Sequence, residues 1–415
     1  MRSFIQSSFW SFITIASRTL SVLVINKIIA LQFGPHGITL LAHFQNLISI
    51  VITIPSDGIN RGVVTYLAGK ETTHPQYRLY FLAGIWWQFA VLAVIIPGFL
   101  LQRNFFLASF FRGVDPTEWL YFFFGGLCLL LISIYLQAIL LARQALAWYA
   151  GLVSFASLCS ALLIWVLLQK FALAHLLLLF LFSQGFAAGI AAVLIWKKGW
   201  FPRLSGKLMH AAALQDIGKF ILMALTLLVC SNLVNFYVRE QMMQRFDLYQ
   251  TGLWQAAVKL SDNYTMVFTS FIGMVYYPKL AALVQRPIAF RAFVRSTFFT
   301  LVPLVGAGLL VFYGLRRWFI LLLFDKDFLP AATLLDYQVL GDFFKMSAWI
   351  LSYIILAQGK VYFNMLIQVS GAGLYLLLLF WFVHSFGLEG VTMAHCVSFG
   401  LFFLFNLLYF RKLVF

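Results

Sequence analysis

The residues that could do chemistry in this chain are charges set inside apolar sequence. Arg18 and Lys27 interrupt the first long apolar run, Asp57 and Arg61 the second, Lys259 and Asp262 the eighth, and Asp342 and Lys345 the tenth. An ionised group in hydrocarbon is costly, so such residues face protein or water and mark substrate or ion paths. Asp57 and Arg61 stand four residues apart, Lys259 and Asp262 three, and Asp342 and Lys345 three. On a helix each pair can meet on one face, and pairing alone would let these charges sit in a membrane. Arg18 and Lys27 have no acid within a turn. Nine residues separate them, which places them on opposite faces of an ideal helix. Lys27 lies near the end of its run, where a lysine stem can snorkel to the headgroups. Arg18 lies deeper and has no such exit. The chemistry these residues point to is recognition of an anion, with Arg18 as its main contact.

Uncharged polar residues extend the pattern in helical register. Ser7, Ser11, Thr14, Arg18 and Ser21 form one stripe, and Thr39, His43, Asn46, Thr53, Asp57 and Arg61 a second. The seventh run carries Asn232, Asn235 and Arg239, the eighth Gln255, Lys259, Asp262, Thr269 and Tyr276, and the tenth Gln338, Asp342, Lys345 and Ser352. Five wet-faced helices drawn from both halves predict a net positive cavity between the halves. His43 reads either as a lining group or as a proton carrier, since imidazole titrates near neutral pH.

The elements that position these residues follow from composition. Apolar residues make up 63% of the 415 and charged residues 10%, more apolar surface than a soluble protein of this size can keep from water. About 20 apolar residues cross a bilayer core, and twelve such runs are present, at roughly 9–33, 38–68, 79–102, 119–142, 147–169, 173–196, 217–240, 253–284, 293–314, 333–357, 361–384 and 388–410. The expected fold is an all-α polytopic membrane protein of about twelve transmembrane helices. The first run, with Arg18 and Lys27 inside it, reads as a retained span rather than a cleaved signal. Gly34-Pro35 and Pro116 mark breaks between spans, while Pro55, Pro97 and Pro303 lie inside runs and predict kinks.

The polar stretch KKGWFPRLSGKLMHAAA begins at Lys197. It predicts a cytoplasmic linker over 197–215 between two six-helix lobes, 1–196 and 216–415. Basic residues distribute unevenly around the runs. Arg2, Lys70, Arg78, Arg143, Lys197, Lys198, Arg203, Lys207, Lys279, Arg286, Arg291, Arg295, Lys360, Arg411 and Lys412 fall on one side, and Arg103, Arg112, Lys170, Arg245, Arg316, Arg317 and Lys326 on the other. The positive-inside rule then predicts both termini in the cytoplasm. The net charge of +16 is spread over the ends of apolar runs, so the partners expected are the lipid bilayer and anionic lipids, with no nucleic acid. Cys128, Cys159, Cys230 and Cys396 lie inside apolar runs without metal-ligand spacing; no disulfide and no metal site is expected.

Several stretches resemble the Wzx-type flippases of lipid-linked oligosaccharides, those for O-antigen and enterobacterial common antigen. They are KIIALQFGPHG from Lys27, Gln45-Asn46-Leu47 and GINRGVVTY from Gly58 in the first half. In the second half they are Trp254-Gln255, Ser261-Asp262-Asn263-Tyr264 and QVLGDFFK from Gln338. Their order and spacing, rather than any one motif, carry the resemblance. It implies the multidrug/oligosaccharidyl-lipid/polysaccharide exporter fold, two six-helix lobes around a V-shaped cavity as in MATE transporters. Arg18 and Lys27 fall where similar flippases carry basic residues, whereas Thr65 stands where a lysine is expected and Arg61 supplies a cation one turn earlier.

The resulting expectation is a transporter, not an enzyme, in the bacterial inner membrane. It would flip an undecaprenyl-diphosphate-linked oligosaccharide for cell-surface polysaccharide synthesis. The substrate-binding set is Arg18, Lys27, His43, Asn46, Asp57, Arg61, Asn235, Lys259, Asp262, Asp342 and Lys345. No catalytic residue, metal or cofactor is expected, and a coupling ion, H+ or Na+, is left open. A glycan polymerase or chain-length regulator is a further candidate partner. Two competing readings remain. A multidrug antiporter of the same fold should carry an unpaired acid in its cavity. A membrane enzyme of lipid-linked glycan assembly needs a positioned acid or base, for which the longest polar outer loop offers only Asp115 and Glu118.

Overall fold

A computed structural model of the chain describes residues 2–68, 70–101, 116–168, 170–202, 210–272, 276–358 and 360–415. Arg103, Arg112, Asp115, Arg203 and Lys207 lie outside them, as do the side chains of Ser7, Ser11 and Glu118. The described residues are almost wholly helical. That is what an apolar solvent demands, because a helix satisfies its own backbone groups.

Ten helices among the described residues are long and apolar enough to cross a membrane. The first, Ile13–Leu67, has 55 residues, roughly 80 Å of helix, which exceeds two bilayer cores. It divides at Gly34, whose backbone (φ 58°, ψ −155°) is not helical. A further helix, Leu248–Phe271, is 24 residues long, enough for a crossing. Gln255, Lys259, Asp262 and Asn263 make it less apolar than the ten. Together these are the twelve crossings expected, in a multi-pass membrane protein.

By contact the chain forms two compact units, Met1–Gln32 with Leu40–Phe236, and Phe33–Thr39 with Tyr237–Phe415. The division falls at Phe236, beyond the polar linker over 197–215.

The first unit holds α1 (Arg2–Thr53) apart from its Phe33–Thr39 segment, α2 (Arg61–Leu67), α3 (Pro75–Leu101) and α4 (Pro116–Ala142). It continues with α5 (Leu146–Leu167), α6 (Leu173–Gly185), α7 (Ala187–Lys197) and α8 (Ala211–Leu227). Between α1 and α2 runs a π-helical turn, Ile54–Asn60. Pro55 lies in this turn and cannot donate a backbone hydrogen bond, which accounts for the widened ladder. The core gathers Ile59, Val63, Tyr77, Phe81, Tyr135 and Ile139 with Ile217 and Ile221 of α8. A Cβ at Gly58 would stand 3.0 Å from Ile221 Cα, so small residues let α8 lie close against the π turn. Tyr80 donates its hydroxyl to Asp216 (2.8 Å), and Trp87 Nε1 donates to the Leu214 carbonyl (3.0 Å). These contacts are why the first span after the linker packs with the residues before it.

The helix α9 (Val234–Arg245) carries the chain into the second unit. There follow α10 (Leu248–Phe271), α11 (Tyr277–Leu283), α12 (Pro287–Gly314), α13 (Arg316–Leu323), α14 (Ala331–Ala357), α15 (Val361–Phe386) and α16 (Glu389–Tyr409). Asp247 caps α10, its carboxylate accepting from Gln250 N (2.6 Å). The most buried helix of this unit is α14, which packs on α10, α12 and α16. Tyr276 donates to the Ile350 carbonyl (2.9 Å) inside a core of Ile272, Val294, Leu351 and Ile354. Pro97 and Pro303 lie inside α3 and α12, which continue through them.

Candidate functional site

The first unit contains a cavity of about 820 Å³, within the volume range of pockets that hold whole ligands. Arg18 of α1 lines it. So do Gln45, Ser49, Ser56 and Asn60 along the second crossing, with Arg61 and Thr65 of α2, and Gln137 and Tyr149 from α4 and α5. Two arginines line this space, and among its lining residues there is no carboxylate.

The second crossing reaches the cavity through one continuous face. Gln45, Ser49, Ile52, Ser56 and Asn60 step by three or four residues, as helical neighbours on one side must. The π turn carries the last of these, and Asn60 is fixed by donating Nδ2 to the Ile134 carbonyl of α4 (3.1 Å). Arg61 follows and donates to Asp57 Oδ1 at 2.6 Å, its side chain still 57% exposed. Asp57 itself is not a lining residue. Arg18 is exposed and makes no ion pair among the described residues. A guanidinium that is open to water and lacks an acid is a ready partner for a phosphate.

The other polar residues of the second stripe are used in packing. Thr39 lies in the Phe33–Thr39 segment of the second unit, fully buried, and donates to the Leu248 carbonyl (2.8 Å). His43 is fully buried and stacks on Phe236 with ring centroids 4.6 Å apart. Thr53 hydrogen bonds with Asn232 Nδ2. Thr39, His43 and Thr53 of the stripe are therefore taken up by 232–236 and the 248 turn, while Arg61 at its end lines the cavity. Asn46 is buried, Lys27 half-buried and Asn235 exposed; none of the three lines the cavity.

The eighth- and tenth-run charges gather in the second unit. Asp342 pairs with Lys345 at 3.0 Å, as their spacing predicts. Lys259 is half-buried and Asp262 exposed. Asp262 lies within electrostatic reach of Lys345, Asp342, Lys259 and Arg239. Two groups missed by spacing complete the cluster, Tyr264 and His395, both bonded to Asp342. His395 lies in an apolar run with only the uncharged Thr392 and Ser398 in register, so no charge pairing in the sequence signals it. Among the described residues no group of three or more His, Cys, Asp or Glu is placed to hold a metal.

Comparison with known proteins places this arrangement. The chain is similar over its whole length to the lipid III flippases of Escherichia coli K12 and Shigella flexneri. It is 25% identical to each over 411 residues, 97% of this chain and 96% of theirs. No family model matches it. Its fold is that of a MATE family multidrug transporter of the MOP superfamily in an inward-facing conformation (TM-score 0.72, 14% identity, 95% of each chain). It is equally that of the lipid II flippase MurJ (TM-score 0.71, 13% identity, 98% of this chain and 87% of that one). The likeness to the lipid III flippases, which spans nearly the whole chain, agrees with the Wzx-type resemblance of the ordered motifs. The two motifs Ser261–Tyr264 and Gln338–Lys345 meet in the folded chain, where Ser261 and Tyr264 both hydrogen bond to Asp342.

Proposed function

We propose that this protein is a flippase that moves an undecaprenyl-diphosphate-linked oligosaccharide from the inner to the outer leaflet of the bacterial inner membrane. It would supply cell-surface polysaccharide synthesis and work by alternating access. The observation that carries this reading is the Arg18 cavity, which holds two arginines and no lining carboxylate. The anionic diphosphate sets against Arg18 and Arg61. The sugars hydrogen bond to Gln45, Ser49, Asn60 and Gln137, and the polyprenyl chain stays in the bilayer. An inside-negative potential assists, by about 2.3 kcal/mol per charge per 100 mV for a charge that crosses the full field. In this reading both termini lie in the cytoplasm, as the distribution of basic residues supports, and a glycan polymerase or chain-length regulator acts next on the delivered lipid.

A multidrug antiporter exporting cations fits the fold but not the cavity, whose charge has the wrong sign for a cationic drug. Two cell assays separate the readings. In cells that depend on this protein, Arg18→Ala is expected to block delivery of lipid-linked sugar to the outer leaflet at unchanged protein level. Overexpression is expected to leave resistance to cationic drugs unchanged. Resistance gained together with undiminished delivery by Arg18→Ala would favour the antiporter.

A further inference from the structure

Asp342 is fully buried in the second unit, and both of its carboxylate oxygens are engaged. Oδ1 lies 3.0 Å from Lys345 Nζ and 3.0 Å from His395 Nε2. Oδ2 accepts from the hydroxyls of Ser261 and Tyr264, each at 2.5 Å. One carboxylate thus serves a permanent cation and an imidazole. With the ring neutral, Asp342 and Lys345 cancel. With the ring protonated, these three groups carry one net positive charge, with Asp262 a further acid in electrostatic reach. Water and local structure must respond to that charge, because a buried net charge is expensive.

The imidazole has a partner for each of its forms. Asp342 Oδ1 accepts from a protonated Nε2, and the Gln338 amide, 3.4 Å away, can donate to a bare one. Of His395, Lys345 and Asp342, the imidazole is the least enclosed. Its side chain is 15% exposed, against 10% for Lys345 and none for Asp342. The seat is built for it, since a Cβ at Gly341 would collide with His395 Cδ2 and stand 2.9 Å from Cys396 Cα. Phe399 closes one side, with ring centroids 4.8 Å apart.

We propose that the Asp342–Lys345–His395 cluster is a proton-binding site, in which His395 takes up and releases a proton against the Asp342 carboxylate. The step is one proton gained from water by the imidazole and returned to water, with Lys345 and Asp342 keeping their charges. The other titratable groups near it are Tyr264 and Asp262 of α10 and Cys396 of α16, and Asp262 is coupled in turn to Lys259 of α10 and Arg239 of α9. From α12 the neighbour is Phe312, its ring 4.9 Å from Tyr264. The proton site stands on this geometry, and its use in transport rests on the flippase reading above.

The test takes the full chain in lipid nanodiscs with ¹⁵N-labelled histidine, the His395 signal being assigned as the one absent from His395→Gln. The ring is expected to pass between neutral and charged forms as pH is stepped through the range in which the protein stays folded. Asp342→Asn should lower the charged-to-neutral ratio at a fixed pH by about tenfold or more, and Lys345→Met should raise it, as loss of a close opposite or like charge requires. A ring that stays in one form across that range, or ratios unmoved by both variants, overturns the proposal. Transport is read separately in proteoliposomes with an imposed pH gradient. The wild type should respond to the gradient, and His395→Gln should transport without responding. A titrating ring in a protein that moves no lipid-linked sugar would count against the flippase reading and leave the proton site standing.

Discussion

Arg61 reaches back one turn to Asp57, 2.6 Å away, and the two residues differ in what they face: Arg61 lines the cavity and Asp57 does not. The acid therefore draws part of the cation's charge away from the space where an anion would sit. An exposed pair of this kind is worth roughly 0.2–1 kcal/mol. Asp57→Asn is then expected to tighten binding of a diphosphate-linked lipid by up to about fivefold, and Arg61→Gln to weaken it. Titration of the lipid into protein in nanodiscs measures both.

The Phe33–Thr39 segment is seated on the start of α10. Thr39 donates to the Leu248 carbonyl, and a Cβ at Gly252 would collide with the Pro35 carbonyl oxygen. Gly252→Ala should therefore lift this segment. In a His36→Cys background, Gly252→Ala is expected to raise the rate of labelling by a membrane-impermeant maleimide several-fold. An unchanged rate would mean that the seat tolerates the methyl group.

The close approach of α8 to the π turn rests on Gly58, where an added methyl would press on Ile221 Cα at 3.0 Å. Overpacking of this kind typically costs about 1–3 kcal/mol. Gly58→Ala should lower the thermal midpoint of the detergent-solubilised protein, and Gly98→Ala, which meets nothing within 4 Å, should not.

Much of this fold was legible because a bilayer imposes one rule on the whole chain. Long apolar runs must be helices, so their number and breaks, such as Gly34-Pro35, can be read directly. The polar stripe from Thr39 to Arg61 was legible as a stripe but not as a face with a known partner. Periodicity reports that polar groups share a side. It does not report whether water or another helix satisfies them, and here Asn232 and Phe236 take up Thr53 and His43. Gln45 and Asn60, each one position from a stripe residue, line the cavity instead, together with Ser49 between Asn46 and Thr53. The pairing of Asp342 with Lys345 followed from spacing, since both lie on one helix. The contribution of His395 depends on α16 approaching α14 at Gly341, a tertiary fact with no local trace. The boundary after Phe236 was likewise hidden, because composition marks the linker over 197–215 but not which neighbours α8 chooses.

The most direct measurement is translocation of a fluorescent undecaprenyl-diphosphate-linked oligosaccharide in proteoliposomes, comparing wild type, Arg18→Lys and Arg18→Ala. A cavity that recognises the diphosphate through an unpaired guanidinium predicts transport by the wild type, partial transport by Arg18→Lys and at least a tenfold loss in Arg18→Ala, with all three equally folded. Equal rates in the wild type and Arg18→Ala would contradict it.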